Sequence, residues 1–172
     1  MTLIDLKGKL KLNLGSGKST VLYPYLRESH FNVDVREYEG VDLIADMRSL
    51  EFNDETFEEI LISDCLDHVT FFEAKILLRK FSQWLKSKGT LQIHTPNLRF
   101  LAIALSQGDY HEPLKWLYGT DGEGSTNYDS NVIRWCYSKE ELKRLVELNG
   151  LKIISLGEDC GGFAFRLIAQ KV

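Results

Sequence analysis

Two hydrophobic periods take turns along this chain. Short stretches of apolar and β-branched residues at 9–14, 31–35, 42–45, 58–63, 90–95, 151–156 and 163–170 predict seven strands. Between them the apolar residues fall at three- and four-residue spacing, the signature of helices with one buried face. The clearest helix is predicted over 71–86, with Ala74, Leu77, Leu78, Phe81, Trp84 and Leu85 on one side. Thr70 and Glu73 form a capping box at its start and Gly89 marks its stop. A second box, Ser138 with Glu141, opens a helix through Leu142, Leu145 and Val146 that stops at Asn149-Gly150. Strands alternating with helices imply an α/β protein, a mostly parallel sheet with helices on both faces.

Two places depart from that plan. Only Arg36 to Gly40 separate the second predicted strand from the third, too few for a crossover helix, so a bare extended return is expected there. The first strand begins within about ten residues of Met1, which leaves no room in this sequence for N-terminal helices over the sheet. The active site is then open, or completed by a second copy in a homo-oligomer.

Composition narrows the class. With 172 residues, 44% hydrophobic and 27% charged, one domain spanning 1–172 is expected. No apolar run approaches the roughly 18 residues of a membrane span and no signal-peptide core is present, so a cytoplasmic protein is expected. Three cysteines without a C-x-x-C pair argue against a disulfide framework, and no metal site is expected. The net charge of −4 and the lack of a basic cluster argue against nucleic acid as a partner and favour a small or neutral substrate. Lys7, Lys9 and Lys11, on alternate positions, read as a solvated strand face.

The chemistry concentrates where the first strand runs into Gly15-Ser16-Gly17-Lys18-Ser19. Gly17-Lys18-Ser19 could end a phosphate-binding P-loop, with Asp64 after the fourth strand holding Mg²⁺. That motif needs a glycine where Leu12 stands, and Pro24 falls inside the helix it requires. The other reading joins the glycine turn to Asp34, 19 residues after Gly15, at the end of the second strand. Rossmann-like sites place an acid there to accept both hydroxyls of a ribose.

Leu12-Asn13-Leu14-Gly15-Ser16-Gly17 resembles the first motif of class I S-adenosylmethionine-dependent methyltransferases. The likeness continues through Asp46-Met47 after the third strand, the 52–60 loop, Ser63 to Val69, the Leu85 to Leu91 turn and Thr95-Pro96-Asn97. It is strongest to the group often called type 11, particularly its small members associated with surface polysaccharides. The resemblance implies a Rossmann-like sheet of seven strands lacking N-terminal lid helices, S-adenosyl-L-methionine as cofactor, and a small-molecule or glycan acceptor. It implies a cofactor site made by Gly15, Ser16, Gly17, Asp34, Val35, Asp46, Met47 and Ser63, with Asp34 on the ribose and Asp46 and Met47 at the adenine. Lys18 stands beside the turn amides that suit the cofactor's carboxylate.

The acceptor side is written less plainly. Between Ser106 and Tyr137 lie Tyr110, His111, Trp116, Tyr118, Tyr128, Trp135 and Tyr137, around a glycine-rich loop at 119–127. Loops longer than a core connection needs commonly carry binding function. Tyr118, Trp135 and Tyr137 are the substrate candidates. Similar sequences carry His where Ile133 stands, so a binding or assembly role without catalysis is the competing reading. Methyl transfer rests chiefly on alignment, and a base assists a hydroxyl acceptor. His68, after strand four, is the first candidate for that base and His111 the second; His30 and His94 read as structural.

Overall fold

The computed structural model describes residues 4–118 and 132–172. Its sheet has seven strands in the order β3-β2-β1-β4-β5-β7-β6. These are β1 (Lys11–Leu14), β2 (Phe31–Asp34), β3 (Leu43–Ile44), β4 (Phe57–Ser63), β5 (Leu85–Pro96), β6 (Leu151–Asp159) and β7 (Ala164–Lys171). The first five pair in parallel, and β7 runs antiparallel to both β5 and β6. The expected mostly parallel sheet is present. From β1 the chain winds outward through β2 and β3, then returns to lay β4 on the other side of β1. Loops leaving the strands on either side of such a switch point diverge and open a crevice at their C-terminal ends.

Local chemistry explains the order of elements. In β1, Leu12 and Leu14 are fully buried. Asn13 lies opposite Asn32 in register and donates to its side chain at 2.9 Å. Asn32 in turn donates to the carbonyls of Leu26 (3.0 Å) and His30 (2.8 Å), so two buried amides are bonded to each other and to backbone. After the glycines come α1 (Ser19–Leu22), one turn long, and α2 (Pro24–Ser29), with Pro24 at its first position. A missing N–H is harmless there. The break at Tyr23 means that the continuous helix of a P-loop does not form.

No helix lies between β2 and β3, as the short connection predicts. Backbone bonds hold the bare return, Asp42 N–H to Asn32 and Ala45 N–H to Asp34, both at 2.8 Å. The Asp42 carboxylate accepts from Lys7 (2.9 Å), Lys9 (2.8 Å) and the Asn32 amide (3.0 Å). Lys7 and Lys9 therefore pin this return rather than forming a merely solvated face.

α3 (Phe71–Trp84) buries the expected Ala74, Leu77, Leu78, Phe81 and Trp84 and carries the full Thr70–Glu73 capping box. It stops two residues before the predicted end because Leu85 already pairs with Phe57 as the first residue of β5. Gly89 is not its cap: the left-handed backbone falls on Lys88 (φ 63°). A Cβ on Gly89 would lie 2.9 Å from the Lys86 carbonyl oxygen, so glycine is needed there for close approach. α4 (Leu98–Ser106) and α5 (His111–Tyr118) follow β5, and α6 (Lys139–Glu147) precedes β6. Ser138 caps α6 by accepting from the Glu141 amide at 3.1 Å. The expected second half of that box is replaced, because the Glu141 carboxylate accepts from Trp135 Nε1 at 3.0 Å. No described helix is long and apolar enough to cross a membrane.

Candidate active site

A cavity of about 580 Å³ opens at the C-terminal ends of β1, β2 and β4, within the roughly 300–1,000 Å³ typical of small-molecule sites. Its floor is the glycine turn. Gly15 has φ +65°, and a Cβ there would lie 2.6 Å from Cys65 Cβ and closer still to its Sγ. Only glycine lets the β1 and β4 exits approach this closely. Gly17 (φ +48°) presents its N–H to Asp34, whose Oδ2 accepts it at 2.7 Å. Asp34 Oδ1 accepts the Arg36 amide at 2.9 Å. The carboxylate is thereby fixed at the rim with a lone pair free on each oxygen.

Of the eight residues expected to hold a cofactor, Gly15, Gly17, Asp34, Val35, Asp46, Met47 and Ser63 line this cavity. Ser16 does not. It is buried, its amide bonds the Val33 carbonyl at 3.0 Å, and its hydroxyl has no partner among the described residues. Asp46 caps the turn after β3 and is gripped by Arg48, with Nε 3.0 Å from each carboxylate oxygen. The guanidinium holds the Asp46 carboxyl below the usual carboxylate range. Met47 is nearly buried, its sulfur 4.0 Å from Cys65 Sγ. Burial pushes the Cys65 thiol up, so it lies against the floor as a neutral thiol.

A second cavity of about 650 Å³ adjoins the first, and Gly17, Arg36, Asp64 and His68 line both. Lys18, Tyr38, Asp67, Lys115, Trp116 and Ile133 are among its walls. His68 Nδ1 bonds the Val132 carbonyl at 3.1 Å; since a carbonyl only accepts, Nδ1 carries the proton and the neutral ring keeps its lone pair on Nε2. Asp67 Oδ2 lies 3.9 Å from that Nε2. Burial raises the Asp67 carboxyl to about 6, with the His68 charge opposing the rise. Asp67 Oδ1 and Arg36 Nε are buried without hydrogen-bond partners among the described residues, with Arg36 Nε 3.9 Å from Asp34 Oδ1.

The substrate candidates lie elsewhere. Tyr137 is a core residue with no exposed surface, because its backbone bridges Asn97 and its ring packs inside. Trp135 packs on Phe71 at 4.9 Å and is tied to Glu141, and Tyr118 is 72% exposed. Neither lines either cavity. His111 is exposed and also outside both. Tyr128 and the 119–127 loop lie outside the described residues. His30 is structural as expected, bonded at 2.8 Å to both Ser29 and Glu59. Trp116, one of the aromatics of the 106–137 region though not among the substrate candidates, lines the second cavity, and Lys115 and Tyr38 are its unforeseen walls.

The first cavity fits S-adenosylmethionine by its donors and shape: a glycine floor that a Cβ would fill, a fixed carboxylate at one wall and a thioether at another. Solved structures with the same fold include a methyltransferase from Methanosarcina mazei (16% identity, TM-score 0.67, covering 94% of this chain and 92% of that one). Another, from Mesorhizobium loti, is 15% identical with TM-score 0.67, covering 98% and 94%. The 1,6-didemethyltoxoflavin-N1-methyltransferase of Burkholderia thailandensis, solved with S-adenosylhomocysteine, is 16% identical with TM-score 0.63, covering 94% and 70%. No curated protein sequence matches. The sequence profile of the family described as "Methyltransferase domain" matches residues 5–156. That match runs from before β1 into β6 and takes in every wall of both cavities, and by it the chain belongs to the methyltransferase-domain family.

Proposed function

We propose that this methyltransferase draws its methyl group from S-adenosylmethionine bound in the first cavity and delivers it to a small-molecule or glycan hydroxyl in the second. The supporting observation is the shared wall: Gly17, Arg36, Asp64 and His68 border both cavities. Gly15 and Gly17 would admit the methionyl part, Asp34 would accept from the ribose, and Asp46 and Met47 would flank the adenine. When bound, the cofactor supplies a methyl carbon already activated by its sulfonium.

The chain's own residues align the acceptor and take its proton. His68 Nε2 accepts the hydroxyl proton, and Asp67 stabilises the imidazolium that results. Trp116 and Tyr38 offer aromatic faces to a ring, and Arg36 Nε and Asp67 Oδ1 offer unpartnered polar atoms to its substituents. Ile133 lies in the same cavity and provides no base, and His68 is the histidine that lines it.

The test is release of S-adenosylhomocysteine when the protein meets S-adenosylmethionine and a panel of sugars, sugar nucleotides and small alcohols. Turnover on a hydroxyl acceptor, reduced by His68→Gln, supports the assignment. Tight cofactor binding with no turnover across the panel would favour the binding-partner reading instead.

A further inference from the structure

On the far side of β5 from the glycine turn, three side chains of different chemistry converge. His94 lies on β5, in register with Arg166 of β7, which pairs in turn with Gly157 of β6. Asp159, the last residue of β6, and Cys160, the first of the turn into β7, approach His94. His94 Nε2 is 3.6 Å from Asp159 Oδ2 and 4.0 Å from Cys160 Sγ. All three atoms lie within 4.8 Å of one another. On the other edge of the ring, Nδ1 is 2.8 Å from Asp64 Oδ1. With Nδ1–H donated to Asp64, Nε2 is the ring atom that faces the carboxylate and the thiol.

We propose that His94, Asp159 and Cys160 bind a divalent transition metal of the zinc class, with Asp64 as the positioning residue that orients His94. Tetrahedral zinc, with bonds of about 2.0–2.3 Å to nitrogen, oxygen and sulfur, sets neighbouring ligand atoms about 3.4–3.6 Å apart. The distances from Nε2 are within about half an ångström of that, a side-chain adjustment. A carboxylate behind a ligating histidine is the usual outer-shell arrangement of zinc sites. Three protein ligands leave a fourth position for water.

Arg166 is the competing cation: its Nη2 lies 3.1 Å from Asp159 Oδ2. Its side chain is 48% exposed and is free to turn to solvent when a metal takes that oxygen. Asp159 Oδ1 accepts the Cys160 amide at 2.9 Å, which holds the carboxylate beside the thiol. The Asp64 and Asp159 carboxylates on either edge of the His94 ring give the site a negative surrounding that attracts a cation, and metal binding releases the thiol proton to solvent. Residues 65 positions apart in sequence form no local motif, which is why their spacing gives no warning.

Reduced, chelator-treated full-length protein titrated with zinc(II) by calorimetry should bind one equivalent, and cobalt(II) should give a thiolate charge-transfer band. Cys160→Ser and His94→Ala should each weaken zinc at least tenfold, Cys160→Ser should abolish the band, and Asp64→Asn should weaken zinc about 10- to 100-fold. In the unmutated protein zinc should protect Cys160 from iodoacetamide, read by mass spectrometry. The last readout does not depend on a variant folding. Less than one equivalent bound, equal affinity in the Cys160→Ser variant, or a Cys160 alkylated as fast with zinc as without would overturn the assignment.

Discussion

The two cavities share four residues but are built by opposite means. Most walls of the first are the C-terminal ends of strands and the residues just after them: Gly15 and Gly17 after β1, Asp34 and Val35 at the end of β2, Asp46 and Met47 after β3, Ser63 and Cys65 at β4, with His68, Val69 and Arg134 closing the remainder. The second is assembled from Lys18, Asp67, Pro96, Trp116 and Ile133, on segments that touch only once the chain has folded. Strand register positions the first; packing of helices and connections positions the second. A site made of strand ends tolerates little change in the turn and much change elsewhere, and the reverse should hold for its neighbour.

The sharpest way to break that contrast is at the glycines. Gly15→Ala drives a Cβ into Cys65 at a positive φ, whereas Gly17→Ala meets nothing closer than 3.9 Å. The first should cost about 3 kcal/mol or more of stability and abolish S-adenosylhomocysteine binding, from overpacking and backbone strain together. The second should cost only about 1 kcal/mol, from strain alone. Urea denaturation of both variants decides it. Similar losses would mean that close approach at Gly15 is not what sets the floor.

His68 stands on the shared wall, so its loss separates chemistry from binding. His68→Gln should lower kcat about 100-fold or more while changing the S-adenosylhomocysteine Kd by less than about threefold. Comparable losses in both would place His68 in the donor site rather than between the two.

A smaller effect concerns Asp67, behind His68. Burial raises its carboxyl to about 6, above the ordinary value near 3.9. Between about pH 4 and 6 the folded protein keeps a proton that the unfolded chain has lost. Stability therefore falls as pH rises through that window and stays lower above it. Asp67→Asn should remove this decline, as denaturation at pH 5 and 7.5 would show. The mildest variant, Trp116→Ala, should raise the acceptor KM about fivefold, on the order of 1 kcal/mol of lost contact, with donor affinity unchanged.

The same contrast explains what the sequence disclosed. Strand ends are local, so Gly15, Asp34 and Met47 could be read from a few neighbouring letters and an acid 19 residues along. The missing helix between β2 and β3 was legible for the same reason, as a simple shortage of residues. Tyr137 misled because an aromatic near a binding segment looks the same in sequence whether it faces a ligand or the core, and here it is fully buried. Ser16 sits between two lining glycines yet turns inward, an outcome set by the bond from its amide to Val33 on the neighbouring strand. Tyr38 and Lys115 become walls only through contacts between distant segments, which no spacing encodes.

The account depends above all on the first cavity holding a nucleoside thioether by its Asp34 carboxylate. Calorimetry with S-adenosylhomocysteine tests this directly. The unmutated protein should bind one equivalent, and Asp34→Ala should weaken binding at least tenfold, the loss of a charged hydrogen-bond acceptor worth about 1.5–3 kcal/mol. No binding to the unmutated protein, or the same affinity in the Asp34→Ala variant, would contradict it.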